Sequence, residues 1–336
     1  MFDFLSKKFV KNYQDYKDPE VRLNLISLSG IVGIFINFIL FAMKITIGLI
    51  TSSSAVLGDA FNNLTDALTS FITLVGAKAS NKPADKGHPW GHGRGEYLAS
   101  FLVGIFIMFV GVKLLSRSIT SFVEGDIPKL SLTSIIILIV SVFFKVYIYV
   151  LNQRLEKKLD SKLNFAVKVD ARNDIISTIL IIVGVSLQRF LSFNIDSLIG
   201  IFLAIIIFLP GLDMFRETAD ILLGKKIDPD MEKKISDIIL SGDFVVGYHN
   251  LQIHEYGKGK LFGSCDLEVP ENLTVGIMHE SISFIEDRLR NELDIDITCH
   301  MDPTYTLIFN EENVKKIEKL GHSNEYGYKD FKSNHW

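Results

Sequence analysis

Cysteine is scarce: Cys265 and Cys299 are the only two in 336 residues, and both lie in the polar last third of the chain. That excludes a disulfide framework and suits two reduced thiols in a reducing compartment. Charge is sparse as well. Charged residues make up 22% of the chain against 48% hydrophobic ones, a balance too apolar for an ordinary soluble protein and typical of a membrane protein. A basic excess is missing, since the formal net charge is -4, and neither a nucleic-acid partner nor a polybasic lipid anchor is expected. The opening stretch MFDFLSKKFVKNYQDYKDPEVR is charged and aromatic, with no short apolar core followed by small residues, so a cleaved signal peptide is not expected. No internal repeat is visible.

What is present is a set of long apolar runs. A helix needs roughly 20 apolar residues to span a hydrocarbon core. Six segments come close, at about 25–50, 55–78, 97–119, 130–151, 164–188 and 195–222. The N-terminal arm and the links at 79–96 and 152–162 are basic, whereas TSSS, EGDIPK and SFNID carry a single Lys between them. The basic links therefore face the cytoplasm, and six spans put both termini on that side. Residues 1–222 read as a transmembrane domain, 223–310 as a cytosolic domain and 311–336 as a polar tail.

The cytosolic part opens near GKKIDPD with an apolar helical stripe at Met231, Ile235, Ile238 and Ile239. Residues 245–256 and 260–269 read as strands, 275–292 as an amphipathic helix and DIDITCHM as a third strand. The order αββαβ implies a small α+β sandwich, a size that self-association often supports.

Within the second run, Asp59, Asn62 and Asp66 fall at helical intervals of three and four, which turns them to one face. Asp170 and Asp174 repeat the four-residue interval in the fifth. Ionisable groups at membrane depth are costly and mark ion pathways or pairings inside a bundle. Two facing helices with two oxygen donors each would make a four-ligand cation site. The alternative is structural: Asn62 bonds to a neighbouring helix, and the two aspartates pair with Lys168 and Arg172 near the headgroups.

The 79–96 link places Asp85, His88 and His92 within eight residues. Imidazole with carboxylate suits a first-row metal. Pro89, Gly91 and the lack of a Glu beside the first His rule out a zinc-protease helix. The alternative is a polar turn whose histidines cap or pair with Glu96. The last third holds His249, His254, His279 and His300, with Asp266 and Asp302 near strand ends, and HMD puts His300 and Asp302 on one side of a strand. His322 and His335 read as tail residues.

These features together resemble the cation diffusion facilitator family of metal–proton antiporters over residues 20 to 305. The matching stretches, in order, are SAVLGDAFNNLTDALTS, KPADKGHPWGHGRGEYLAS, DARNDIIST and a C-terminal domain ending in HMDP. The resemblance implies a Y- or V-shaped homodimer in the lipid bilayer, with cytosolic domains of a metallochaperone-like, ferredoxin-like fold. It implies a secondary active transporter, not an enzyme, in a bacterial cytoplasmic membrane. By it the transport site is Asn62, Asp66, Asp170 and Asp174. A second metal site is Asp85, His88 and His92, and a third takes His249, Asp266, His279, His300 and Asp302. Asp266 stands where zinc members often have His.

The transport ligands depart from the zinc pattern too, since no span carries His or Cys. All four are oxygen donors, which suit Mn²⁺ better than a tetrahedral Zn²⁺ site does. Mn²⁺ is the expected cargo, with Zn²⁺, Fe²⁺ or Co²⁺ as alternatives. Protons are the expected counter-ion, because three carboxylates crowded in a low-dielectric cavity cannot all stay ionised once the cation leaves. Asn62 shapes coordination without carrying a proton. Asp59 and Asn37 are expected in the outer shell or at the entrance. A metal-sensing membrane protein without transport is the rival from another class. An intramembrane hydrolase is the weakest, for it needs a nucleophile–base pair or an open metal site beside a general base, and no span carries His or Cys.

Overall fold

The computed structural model describes residues 2–16, 18–79, 84–125, 127–128, 132–159, 161–188, 194–257 and 259–304. The expected polar tail at 311–336 lies outside the described residues. The chain divides into two compact units, one of Met1–Ala79 with Leu98–Ala219 and one of Ser80–Tyr97 with the chain from Asp220 on.

The first unit is helical. A short α1 (Phe2–Phe9) leads into α2 (Pro19–Thr51), α3 (Ser54–Ala79), α4 (Arg94–Glu124), α5 (Leu132–Leu159), α6 (Lys162–Leu187) and α7 (Ile195–Leu223). These match the six apolar runs, and several reach a turn or two further: α2 begins six residues before its run, and α5 ends eight after. Four of them, α2, α4, α5 and α7, are long and apolar enough to cross a membrane by length and composition. The two that are not, α3 and α6, carry the polar residues of interest.

Caps explain several helix ends. Asp18 accepts from the Glu20 amide at 2.8 Å to start α2, and Ser161 accepts from the Asn164 amide at 3.3 Å to start α6. The N-terminus of α3 is capped from another helix. Asp196, buried in the first turn of α7, accepts from the Ser54 amide at 2.7 Å and the Ser53 hydroxyl at 2.5 Å. A carboxylate there meets the positive end of the helix dipole and satisfies amides that have no helical partner.

Helices α2, α3, α6 and α5 form a ring in which each packs on the next. Between α4 and α7 the backbones approach closely: a Cβ on Gly104 would lie 3.1 Å from the Gly211 carbonyl, and one on Gly111 3.2 Å from that of Ala204. Small residues permit this contact, which stands in for the hydrophobic drive that lipid does not supply. Leu57 of α3 joins Ile107, Leu114, Ala204 and Ile207 in the same apolar cluster.

The second unit contains α8 (Pro229–Leu240), β1 (Gly247–Glu255), β2 (Leu261–Pro270), α9 (Val275–Leu293) and β3 (Ile295–Thr304). The αββαβ order is the expected one. The sheet runs β1-β2-β3, with β1 antiparallel to β2 and β2 parallel to β3. Alternation sends Cys265, Leu267 and Val269 of β2 and Ile295 and Ile297 of β3 into a core with Ile235, Ile239, Ile282, Ile285 and Leu289 of the helices. The even-numbered residues of β2 and β3 thus lie on the face turned away from α8 and α9.

Candidate metal centres

In the helical unit, the inward stripe of α6 runs through Asn164, Ala171, Asp174, Thr178, Ile181 and Gly184. Asp174 sits at its middle and is 4% exposed. On α3, Asn62 donates its side-chain amide to Asp174 Oδ1 at 2.6 Å. Asp66, one turn along, reaches the same centre through a residue that the sequence reading did not single out. Lys145 of α5, 2% exposed, donates to Asp66 Oδ2 at 3.2 Å, to Asn37 Oδ1 of α2 at 2.6 Å and, in a short ion pair, to Asp174 Oδ2.

Asn62, Asp66 and Asp174 are therefore brought together, with Asn37 beside them. Asp170 is exposed on the edge of the α6 stripe and makes no hydrogen bond or ion pair among the described residues, although it interacts electrostatically with Asp174 and Lys145. Of the structural alternative, the bond from Asn62 to a neighbouring helix does occur, whereas no pairing of Asp170 or Asp174 with Lys168 or Arg172 occurs among the described residues: Lys168 binds Glu156 at 2.5 Å, and Asp174 pairs with Lys145.

Asp59 lies two turns from Asp66 and belongs to a separate pair. Its Oδ2 accepts from Lys44 at 2.7 Å and from Thr178 at 3.0 Å, with Lys44 and Asp59 both buried. Toward the opposite end, Asn164 donates to Ser29 at 3.1 Å and to Asn152 at 2.7 Å. A polar seam thus runs along the interior of the α2–α3–α6–α5 ring. Every charged member of it could have been found by asking which ionisable residues interrupt an apolar run, since FAMKITIGL and VFFKVYIYV place Lys44 and Lys145 in mid-run.

In the second unit the link forms a compact turn. Asp85 Oδ1 accepts from the amides of Gly87 at 2.9 Å and His88 at 2.8 Å, and its carboxylate faces His88 Nδ1 at 3.5 Å and His92 Nε2 at 3.3 Å. Among the described residues this is the one group of three His, Cys, Asp or Glu side chains whose ligand atoms all lie within 4.8 Å of one another. Two imidazoles and a carboxylate fit a first-row dication. The chain following the turn docks on the β1–β2 hairpin: Trp90 packs on Phe262 and Tyr256, Arg94 lies 3.8 Å over the Tyr256 ring and donates to the Glu255 carbonyl at 3.1 Å. Tyr97 donates to the Glu255 carboxylate.

On the sheet face away from the helices, register aligns His249 with Asp266 and Asp266 with His300. His249 Nε2 lies 3.2 Å from Asp302 and 3.7 Å from Asp266, and His300 Nδ1 lies 3.5 Å from Asp266 Oδ1. Glu268, absent from the expected set, faces His249 Nδ1 at 3.4 Å. Its signal was its position two residues after Asp266 on the same strand face. His279 is not part of this cluster within one chain, because it lies on the exposed side of α9, across the sheet. The core face of the same strands holds Cys265 and Cys299, register partners whose Sγ atoms lie 3.4 Å apart.

Known proteins share this organisation. Residues 30–223 match the model of the cation efflux transmembrane domain, and residues 227–304 match that of the cation efflux protein cytoplasmic domain, a dimerising domain that indicates a homodimer. The manganese efflux system protein MneP of Bacillus subtilis is 28% identical over 82% of this chain and 95% of its own length. MneS of the same organism is 26% identical over 82% of this chain and 94% of its own. An uncharacterized transporter of Methanocaldococcus jannaschii is 28% identical over 78% of this chain and 92% of its own. The first match alone covers more than half of the chain, and the protein belongs to the cation efflux family, the cation diffusion facilitators: an integral membrane transporter of divalent metal ions, not an enzyme.

Proposed function

We propose that the protein exports Mn²⁺ from the cytoplasm in exchange for protons, with Asn62, Asp66, Asp170 and Asp174 as the ligands of the transported ion. The observation that carries this reading is the donor set. Asn62, Asp66 and Asp174 converge on one buried centre, Asp170 lies within electrostatic reach, and no His or Cys occurs on any of the helices α2 to α7. Oxygen donors suit Mn²⁺ and tolerate its higher coordination numbers, whereas Zn²⁺ gains most from nitrogen or sulfur in a tetrahedron. The names of MneP and MneS are in keeping with that choice.

Exchange with protons follows from charge. Carboxylates gathered inside the bundle need a compensating cation, and when the metal leaves, protons take its place for the return. The Asp85, His88 and His92 turn and the His249, Asp266, His300 and Asp302 face would bind metal on the cytoplasmic side, with both termini on that side. In this scheme they sense or deliver the ion rather than transport it.

The test is metal-driven proton movement in proteoliposomes loaded with a pH-sensitive dye. Mn²⁺ should drive proton movement, and Asp174→Asn should remove the response. Robust movement with Zn²⁺, Fe²⁺ or Co²⁺ and none with Mn²⁺ would refute the choice of cargo. Loss of no metal tolerance in cells carrying Asp66→Ala or Asp174→Ala would favour a non-transporting sensor.

A further inference from the structure

We propose that the Lys145 ammonium is the protein's own stand-in for the transported cation: it holds the carboxylates of the empty site together, and the incoming dication must displace it. The proposal rests on the reading of Asn62, Asp66, Asp170 and Asp174 as the transport site.

The geometry is that of a cation in a coordination centre. An ammonium has three N–H donors, and Lys145 has three oxygen acceptors, Asn37 Oδ1, Asp66 Oδ2 and Asp174 Oδ2, supplied by α2, α3 and α6. Its stem enters from α5, so all four helices of the ring meet at one nitrogen. Two of the three acceptors are the carboxylates proposed for the metal. Asp66 and Asp174 both lie within bonding distance of one atom, and without a positive charge between them they would repel strongly at a largely buried position. The other charges facing this centre are Asp170, on the edge of the α6 stripe, and Lys44, which acts on Asp174 from one tier away.

A purely structural ion pair need not touch the transport ligands: the Lys44 ammonium and the Asp59 carboxylate bond to each other and to Thr178, not to a proposed ligand. Lys145 instead occupies them. Metal and ammonium cannot share Asp66 Oδ2 and Asp174 Oδ2, so binding is an exchange of cations. Asn37, a neutral acceptor on α2, can keep the ammonium while the carboxylates are surrendered. Lysine suits this role because its charge is compact and its stem flexible, whereas an arginine fork would grip a carboxylate bidentately. The exchange has two consequences. The empty carrier crosses with its carboxylates already partly compensated, and the site binds its cargo more weakly than bare carboxylates would, which favours release.

The test compares Lys145→Met and Lys145→Arg in proteoliposomes, reading KM and turnover for Mn²⁺ separately. Removing the competing charge in Lys145→Met should lower KM about tenfold and lower turnover by a similar factor, because release slows and the returning site loses the part of its compensation that the ammonium supplied. The tighter-gripping Lys145→Arg should move KM the other way, a reversal that a merely structural role would not produce. An unchanged or raised KM in Lys145→Met would overturn the proposal. If Lys145→Met abolishes transport, the decision passes to equilibrium Mn²⁺ binding by the purified full-length protein, read from the loss of the free-ion magnetic-resonance signal. Tighter binding in the class of sites that Asp174→Asn removes supports the proposal, and equal or weaker binding, including loss through misfolding, overturns it. Asp174→Asn separates the two layers. If it keeps native transport and binding, the site reading fails; if it loses both while Lys145→Met shows no tightening, the stand-in role alone fails.

Discussion

Asn62 and Asp174 are joined by a 2.6 Å hydrogen bond from the side-chain amide of α3 to the carboxylate of α6. The amide nitrogen is used on the carboxylate, and in the proposed site the amide oxygen is the atom that would bind the cation. A histidine in its place would bring a nitrogen ligand to the same centre. Asn62→His is expected to raise the ratio of Zn²⁺ to Mn²⁺ turnover roughly tenfold, since imidazole restores the ligand that zinc favours. Parallel flux measurements with the two ions check it, and an unchanged ratio would remove Asn62 from the coordination sphere.

The carboxylates are not equivalent. Asp66 and Asp174 are bonded into the centre, while Asp170 is exposed and held only by electrostatics. Asp66→Ala and Asp174→Ala should therefore abolish Mn²⁺ transport, whereas Asp170→Ala, which removes the ligand least bound into the metal-free centre, should reduce it by roughly 10–100-fold, no more than the loss of an outer supporting group costs. Flux assays on the three variants side by side decide the order.

The contrast shows what the sequence could and could not convey. Helical spacing was enough to align Asp59, Asn62 and Asp66 on one face, because the 3.6-residue period holds for any straight helix. It could not say that Asp59 would be claimed by Lys44, since that pairing joins residues of different helices. Lys145 escaped notice because one charge in a run such as VFFKVYIYV barely lowers its hydropathy. Strand alternation placed His300 beside Asp302, but the antiparallel register that brings His249 to them depends on the β1–β2 hairpin. His279 shows the limit from the other side: its family position suggested the cluster, and the helix carries it to the far face of the sheet.

Gly93 lies under the hairpin, where an added Cβ would run into the Tyr256 carbonyl and lie 2.7 Å from the Gly257 Cα. Both neighbours are backbone and cannot swing away. Gly93→Ala should therefore lift the link from its contacts with Tyr256 and Glu255. Limited proteolysis between residues 84 and 97 should quicken several-fold, an amount consistent with a local contact worth about 1 kcal/mol. Unchanged cleavage would show that the link is not held by this packing.

Cys265 and Cys299 share one hydrogen bond, and only one of a close thiol pair ionises readily. The contact with Cys265, followed by burial, holds the Cys299 thiol well above its ordinary value, while the hydrogen bond from Cys299 lowers that of Cys265. Thiolate is the reactive form, so a raised pKa leaves Cys299 with little of it at pH 8. Cys299 is partly exposed and should still alkylate slowly, with a rate that keeps rising above pH 9. Cys265→Ser, which removes a partner able to carry the negative charge, should speed labelling of Cys299 at pH 8 severalfold. Mass spectrometry after timed alkylation reads both rates.

Lys44 and Asp59 present the sharpest case for stability, for they are 0% and 1% exposed and separated by 2.7 Å. Two charges deprived of solvent depend on each other. Removing one leaves its partner buried without compensation, which costs about 3–5 kcal/mol, whereas replacing both by neutral groups of similar size is often close to neutral. Lys44→Met and Asp59→Asn should each lower the unfolding midpoint in detergent markedly, and the double variant should recover most of the loss, because the two sites share one interaction and cannot be additive. The same double variant separates stability from transport. If Asp59 serves the ion's path, Mn²⁺ flux should stay low after the fold is restored, and if the pair is only structural, flux should return with it.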